Sequence, residues 1–129
     1  MGSLLEEQLT NSAIGAFYAV YNALGFGLSE RIYVLGLQEE LRARGHSTAI
    51  EVQVPVTYRG VLLQQQRLDA LVDDRLVLEI KATPVLHPSA TQQLFNYLRL
   101  TQYQVGLLLH FGPEPSFARM IHTRKDHHT

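Results

Sequence analysis

Cysteine is absent from this chain of 129 residues. That excludes a disulfide framework, a thiolate zinc site and a cysteine nucleophile together. An excess of charge of one sign is also missing: 11 Lys and Arg stand against 12 Asp and Glu, for a net charge of −1. No general attraction to polyanions follows from that balance, so phosphate binding would have to be local or carried by a metal ion. No apolar run approaches membrane-spanning length, and the start, MGSLLEEQLT, is acidic where a secretion signal is basic and then apolar. A cytoplasmic protein without a membrane partner is expected. Repeats, low-complexity tracts and linkers are lacking as well. One domain over 1–129 is therefore expected, with its core over about 11–122 and a tail over 123–129.

What is present reads as alternating helical and extended segments. Ile14, Phe17, Tyr21 and Leu24 recur at helical spacing and predict a helix from Asn11 to Leu24. GFGLSE breaks it. Ser29 is placed to cap a second helix, with Ile32, Tyr33, Leu37 and Leu41 inward and an end near Gly45. AIEVQVPVTY alternates as a strand does, and Pro55 marks an edge or an irregularity. Arg59 and Gly60 turn the chain into a strand that reaches about Val72, and RLVLEIKA follows as a third. Pro84 and Pro88 mark a loop, after which Ser89 is a candidate cap for a helix over ATQQLFNYLRL. YQVGLLLHF reads as a strand buried on both faces, and SFARMIH as the last strand. The expected order is α-α-β-β-β-α-β-β, an α/β or α+β fold with helices packed on a mixed sheet.

The hairpin RLDALVDDRLVLEIKA, residues 67–82, carries charges where apolar residues would pack better. Opposed residues of an antiparallel pair have position numbers with a constant sum. With Asp73, Asp74 and Arg75 as the loop, Asp69 faces Glu79 and Arg67 faces Lys81. Leu68, Ala70, Val72, Leu76, Leu78 and Ile80 then line the other face. A two-residue loop would put the carboxylates on opposite faces, and the sequence leaves both loops open. Paired carboxylates repel, and one tends to stay protonated. A hard divalent ion, Mg²⁺ or Mn²⁺, relieves this, and Asp69, Glu79 and the backbone carbonyl of Ile80 would suffice as its protein ligands. With Lys81 to orient or deprotonate water, such a set is equipped to attack a phosphodiester. The competing reading is a solvated charged ladder. Gln93 and Tyr97, four apart on a helix, share a face and can hold a phosphate or steady a water. The alternative there is a core tyrosine beside a surface glutamine. Glu30 suits a helix start on dipole grounds alone.

Together these segments resemble a known family. GLSERIY, with Gly27, Glu30 and Tyr33, matches the signature of the small GxxExxY proteins of the PD-(D/E)XK nuclease superfamily. The likeness continues through RLDALV, LEIKA, TQQLFNYL and GLLLHFG, from about Phe17 to His122. It implies a restriction-endonuclease-like core, α-β-β-β-α-β, in agreement with the order read from the residues. It also implies Asp69, Glu79 and Lys81 as the catalytic triad, and Glu30 as the first-helix acid that contacts the metal through water. Gln93 and Tyr97 fall on the Gln-x-x-x-Tyr motif of RecB-like exonucleases, and Arg67 on the family's usual arginine. Leu68 stands where the superfamily's name has proline, and His110 where family members usually show Asn. His110 is then either a phosphate-binding residue or a hydrogen-bonding group within the fold. The implied activity is Mg²⁺- or Mn²⁺-dependent hydrolysis of nucleic acid, DNA ahead of RNA. The alternative is a non-catalytic nucleic-acid-binding module or homo-oligomeric assembly module that keeps the fold, favoured by the lack of a basic groove and by the apolar GLLLH strand. His46, His122, His127 and His128 have no partners at metal-ligand spacing, and Asp73–Asp74 suits a turn.

Overall fold

Helical and strand periodicities are local signals, and the element order they indicate is the one found. In the computed structural model, which describes residues 6–123, α1 spans Glu7–Leu24, α2 Glu30–Ala43, β1 Thr48–Tyr58, β2 Val61–Val72 and β3 Leu76–Lys81. They are followed by α3 at Ala90–Leu100, β4 at Val105–Phe111 and β5 at Pro115–Ile121. The expected tail, with His127 and His128, lies from residue 124 on outside the described residues. None of the described helices is long and apolar enough to cross a membrane. Helix α1 begins a turn ahead of the periodic stretch because Leu9 and Thr10 are also buried.

The five strands form one mixed sheet in the order β1-β2-β3-β4-β5, with β3 and β4 parallel and the other neighbours antiparallel. Pro55, which cannot donate to a ladder, lies on the edge strand β1 beside a register shift between Val56 and Thr57. Every residue of β4 is buried, as its unbroken apolar run requires. Helices α1 and α2 cover one face through Phe17, Tyr33 and Leu37, and α3 covers the other through Leu94 and Leu98.

Two helix starts that read alike in sequence differ in space. The Ser29 hydroxyl accepts the Ile32 N–H at 3.4 Å and so caps α2. Ser89 makes no such bond; its hydroxyl lies 2.8 Å from His87 Nδ1 instead. Ahead of α2, Gly27 takes a left-handed φ of 106. Tyr33 locks this stretch: its hydroxyl donates to the Gly25 carbonyl at 2.5 Å and accepts the Leu28 N–H at 3.1 Å. Its ring stacks on Phe111 with centroids 4.1 Å apart.

The turn between β2 and β3 is the three-residue one, with Asp73 and Asp74 left-handed and the pairs Ala70↔Leu78, Leu71↔Val77 and Val72↔Leu76. Asp73 ties it down by accepting the Ser47 N–H at 2.8 Å and meeting His46 Nδ1 at 2.7 Å, while His46 Nε2 reaches the Ser12 hydroxyl. One expectation fails nearby. Leu68 does not share a face with Ala70: Ile50 and Ala70 pack toward α1 and α2, whereas Val52, Val54 and Leu68 pack toward α3. Between them Glu51 has a left-handed φ of 54, and the β1–β2 ladder skips the Glu51–Asp69 rung. Both strands turn over at that point, which breaks the two-residue alternation.

Candidate functional site

Strands β2 and β3 stop pairing beyond Ala70↔Leu78, and the polar residues of the hairpin occupy the fork. Asp69 lies on the β2 side, and its Oδ2 accepts the Ile80 N–H at 2.8 Å. Glu79 and Lys81 follow each other at strand spacing on β3, so both leave the same face. The Lys81 ammonium lies 3.2 Å from Glu79 Oε2 and donates to Gln93 Oε1 of α3 at 3.4 Å. Tyr97, a turn after Gln93, is half-buried and faces both carboxylates closely enough to feel their charge. Glu30, in the first turn of α2, is likewise coupled to Asp69. Arg67 Nη2 lies 3.9 Å from Asp69 Oδ1. Residues from α2, β2, β3 and α3 thus meet in one place.

The electrostatics are those of crowded carboxylates. Asp69 and Glu79 are only 7% and 6% exposed. Burial, then the Asp69 charge, pushes Glu79 up to about 7, although Lys81 opposes this. Asp69 is raised chiefly by burial, with the Ile80 N–H, Arg67 and Lys81 pulling the other way. Burial and the Asp69 charge raise Glu30. Burial and the charges of Glu79 and Asp69 raise Tyr97, so its hydroxyl keeps its proton. Perturbed groups gathered in a cleft are typical of functional sites.

Such a cluster fits a hard divalent ion, which would offset the repulsion and accept oxygen donors. Among the described residues, no group of three or more His, Asp or Glu side chains converges as a ligand set. Asp69, Glu79 and the Ile80 carbonyl would therefore be the protein's share, with water completing the shell and Glu30 acting through it, as suits Mg²⁺.

The raised Glu79 makes a testable difference without any ligand. Its folded-state value lies above its unfolded one, so its stabilising contribution is complete below about pH 4.5 and is lost as pH rises through about 7. In EDTA at about pH 8, Glu79→Gln should melt several degrees above wild type, an effect on the order of 2–3 kcal/mol. At about pH 4 the two should melt together. Calorimetry that finds the variant no more stable at the higher pH would refute the strained carboxylate.

Two cavities flank the fork. One of about 190 Å³ is lined by Glu30, Arg31, Val34, Glu51, Arg67 and Asp69. The other, about 340 Å³, lies along Lys81, Thr83, Leu86, His87, Ser89 and Gln93. His110 pairs with Lys81 across the β3–β4 ladder but is 6% exposed, with Nε2 held 2.8 Å from the Thr83 carbonyl and 3.3 Å from its hydroxyl. It anchors the segment leaving β3. Glu51 and Arg31, which line the first cavity, carry no mark in the sequence: Glu51 reads as an ordinary solvent-facing strand residue.

The model of the PD-(D/E)XK nuclease superfamily matches residues 7–121. Among solved structures, the protein SSO0001 is similar, with 23% identity, a TM-score of 0.56, and coverage of 93% of this chain and 60% of the other. The chain thus spans less than two thirds of that protein's length, and the likeness is one of fold. A search of curated proteins found no match.

Proposed function

From the membership of this chain in the PD-(D/E)XK nuclease superfamily, matched over residues 7–121, we propose that it is a divalent-metal-dependent nuclease of the small GxxExxY type that hydrolyses phosphodiester bonds of DNA ahead of RNA. The observation that carries this is the buried Asp69–Glu79 pair at the fork, with the Lys81 ammonium 3.2 Å from Glu79. Charges so placed would be unfavourable in an idle sheet.

Asp69, Glu79 and the Ile80 carbonyl would hold Mg²⁺ or Mn²⁺, with Glu30 behind water. When bound, the ion polarises the phosphoryl group and makes water a stronger nucleophile. The remaining work falls to the chain. Lys81, steadied by Glu79 and by the Gln93 amide, orients the attacking water and offsets charge that builds on the phosphoryl oxygens. Tyr97, kept protonated, donates to a phosphate oxygen, and Arg67 supplies positive charge on the β2 side. The two cavities leave room for a strand on either side of the scissile bond. His110 acts here by fixing the Thr83 segment rather than by touching phosphate.

The test is hydrolysis of single-stranded, duplex and branched DNA and of RNA in Mn²⁺. At least one should be cut, and EDTA should stop the cutting. If none is cut, the reading as a binding or homo-oligomeric assembly module takes its place. The tip of the β1–β2 hairpin favours that second reading: Tyr58, Val61, Leu62 and Leu63 are 64%, 60%, 53% and 61% exposed. Light scattering tests the assembly it implies.

A further inference from the structure

Glu51 is a charged residue at this site that the proposed reaction leaves unused. It lies within β1, yet its φ of 54 is left-handed, a conformation that Gly, Asn and Asp adopt more readily than Glu. Among the described residues, the other non-glycine positions of that kind, Glu6, Arg59, Asp73 and Asp74, lie at a helix end or in turns. The turned-over backbone brings Glu51 against two arginines from different elements. Its carboxylate pairs with Arg31 from the first turn of α2 and stands 3.8 Å from Arg67 of β2. All three line the cavity of about 190 Å³ beside Asp69.

Two guanidinium groups converging on one anion form a phosphate-type receptor, because their planar forks match phosphate oxygens two at a time. The carboxylate now between them is the side-chain counterpart of that anion. Arg31, Glu51 and Arg67 are 55%, 46% and 54% exposed. Exposed ion pairs are weak, so an arriving phosphate can displace this one readily. Resting on the nuclease reading, we propose that Arg31 and Arg67 receive a backbone phosphate neighbouring the one cleaved, and that Glu51 occupies their receptor in the free protein as an internal stand-in that nucleic acid must displace. The tethered carboxylate lowers affinity for every polyanion alike. Only a strand that also engages the fork holds on.

The test is the anisotropy of a fluorescein-labelled oligothymidylate of about 12 nucleotides in EDTA, where nothing is cut. Glu51→Gln removes the charge. Glu51→Gly also removes it and suits the left-handed backbone, so failure to fold does not cloud the result. Each should bind about fivefold tighter than wild type, the most expected from releasing an exposed pair. The log–log salt slope should steepen by about 0.7, one further phosphate contact. Adding Arg31→Ala to Glu51→Gln should erase the gain, and Glu39→Gln, the same charge change at an exposed position of α2, should give none. Unchanged or weaker binding by both Glu51 variants overturns the receptor. So does a gain that survives Arg31→Ala, an equal gain in Glu39→Gln, or no binding by any protein. Mn²⁺-dependent cutting by wild type tests the underlying reading separately. Cutting without the Glu51 effect removes the receptor alone, and the Glu51 effect without cutting removes the nuclease reading alone.

Discussion

Lys81→Ala should reduce nucleic-acid cleavage by about 10³-fold while the protein stays folded. The side chain leaves β3 at its last residue, is 28% exposed, and among the described residues bonds to Glu79 and Gln93. Its removal opens no cavity in the core. Glu79 loses its cation but can take up a proton, because burial and Asp69 have already raised it to about 7. Circular dichroism and the melting curve should therefore stay close to those of wild type. The proposed reaction, by contrast, loses an ammonium that would orient water at the fork. Rates compared in Mn²⁺ on the same four substrates decide the matter. A variant that cuts within about threefold of wild type would remove Lys81 from the mechanism, and equal residual cutting by both would point to a contaminant.

Tyr33→Ala should cost about 3–5 kcal/mol of stability, measured by urea unfolding. Tyr33 is fully buried, and its ring is stacked on Phe111. Losing it leaves a large void between α2 and β4, and also frees the Gly25 carbonyl and the Leu28 N–H. Tyr33→Phe keeps the ring and should cost about 1–2 kcal/mol, since only the hydroxyl's two hydrogen bonds go. That variant bears on function as well. Tyr33 lies one helical turn after Glu30 and pins the stretch that starts α2, so its hydroxyl sets where Glu30 stands relative to Asp69. A loss below about 1 kcal/mol for Tyr33→Ala would mean that the site collapses around the gap.

The segment GLSERIY is thus three physical demands in seven residues. Gly27 supplies a left-handed φ, Glu30 a carboxylate at the helix start, and Tyr33 the lock that holds both. Its spacing was legible only through the family resemblance; the left-handed Gly27 and the bonds of Tyr33 come from the structure. The hairpin was legible in part, because antiparallel pairing makes opposition a matter of counting once the loop length is known. The sequence left that length open, and left-handed Asp73 and Asp74 settle it as three; the ladder then ends at Ala70↔Leu78, short of the expected Asp69–Glu79 and Arg67–Lys81 rungs. The two serine caps show the opposite case. Ser29 and Ser89 precede their helices in the same way, but a neighbouring His87 takes the Ser89 hydroxyl.

By itself the sequence determined the element order, the double burial of β4 and the placing of Asp69 on one strand and of Glu79 and Lys81 on one face of the next. Each follows from periodicity or spacing within a few residues. Only the tertiary structure decided that Leu68 crosses to the α3 face and that Arg31, Glu51 and Arg67 share a cavity. It also decided that His110 bonds Thr83 and that Glu79 is buried enough to hold its proton near neutrality. These depend on a half-turn at Glu51 and on groups brought together from distant elements. Backbone inversion and desolvation are properties of the packed molecule, and no pattern of residue types along the chain encodes them legibly.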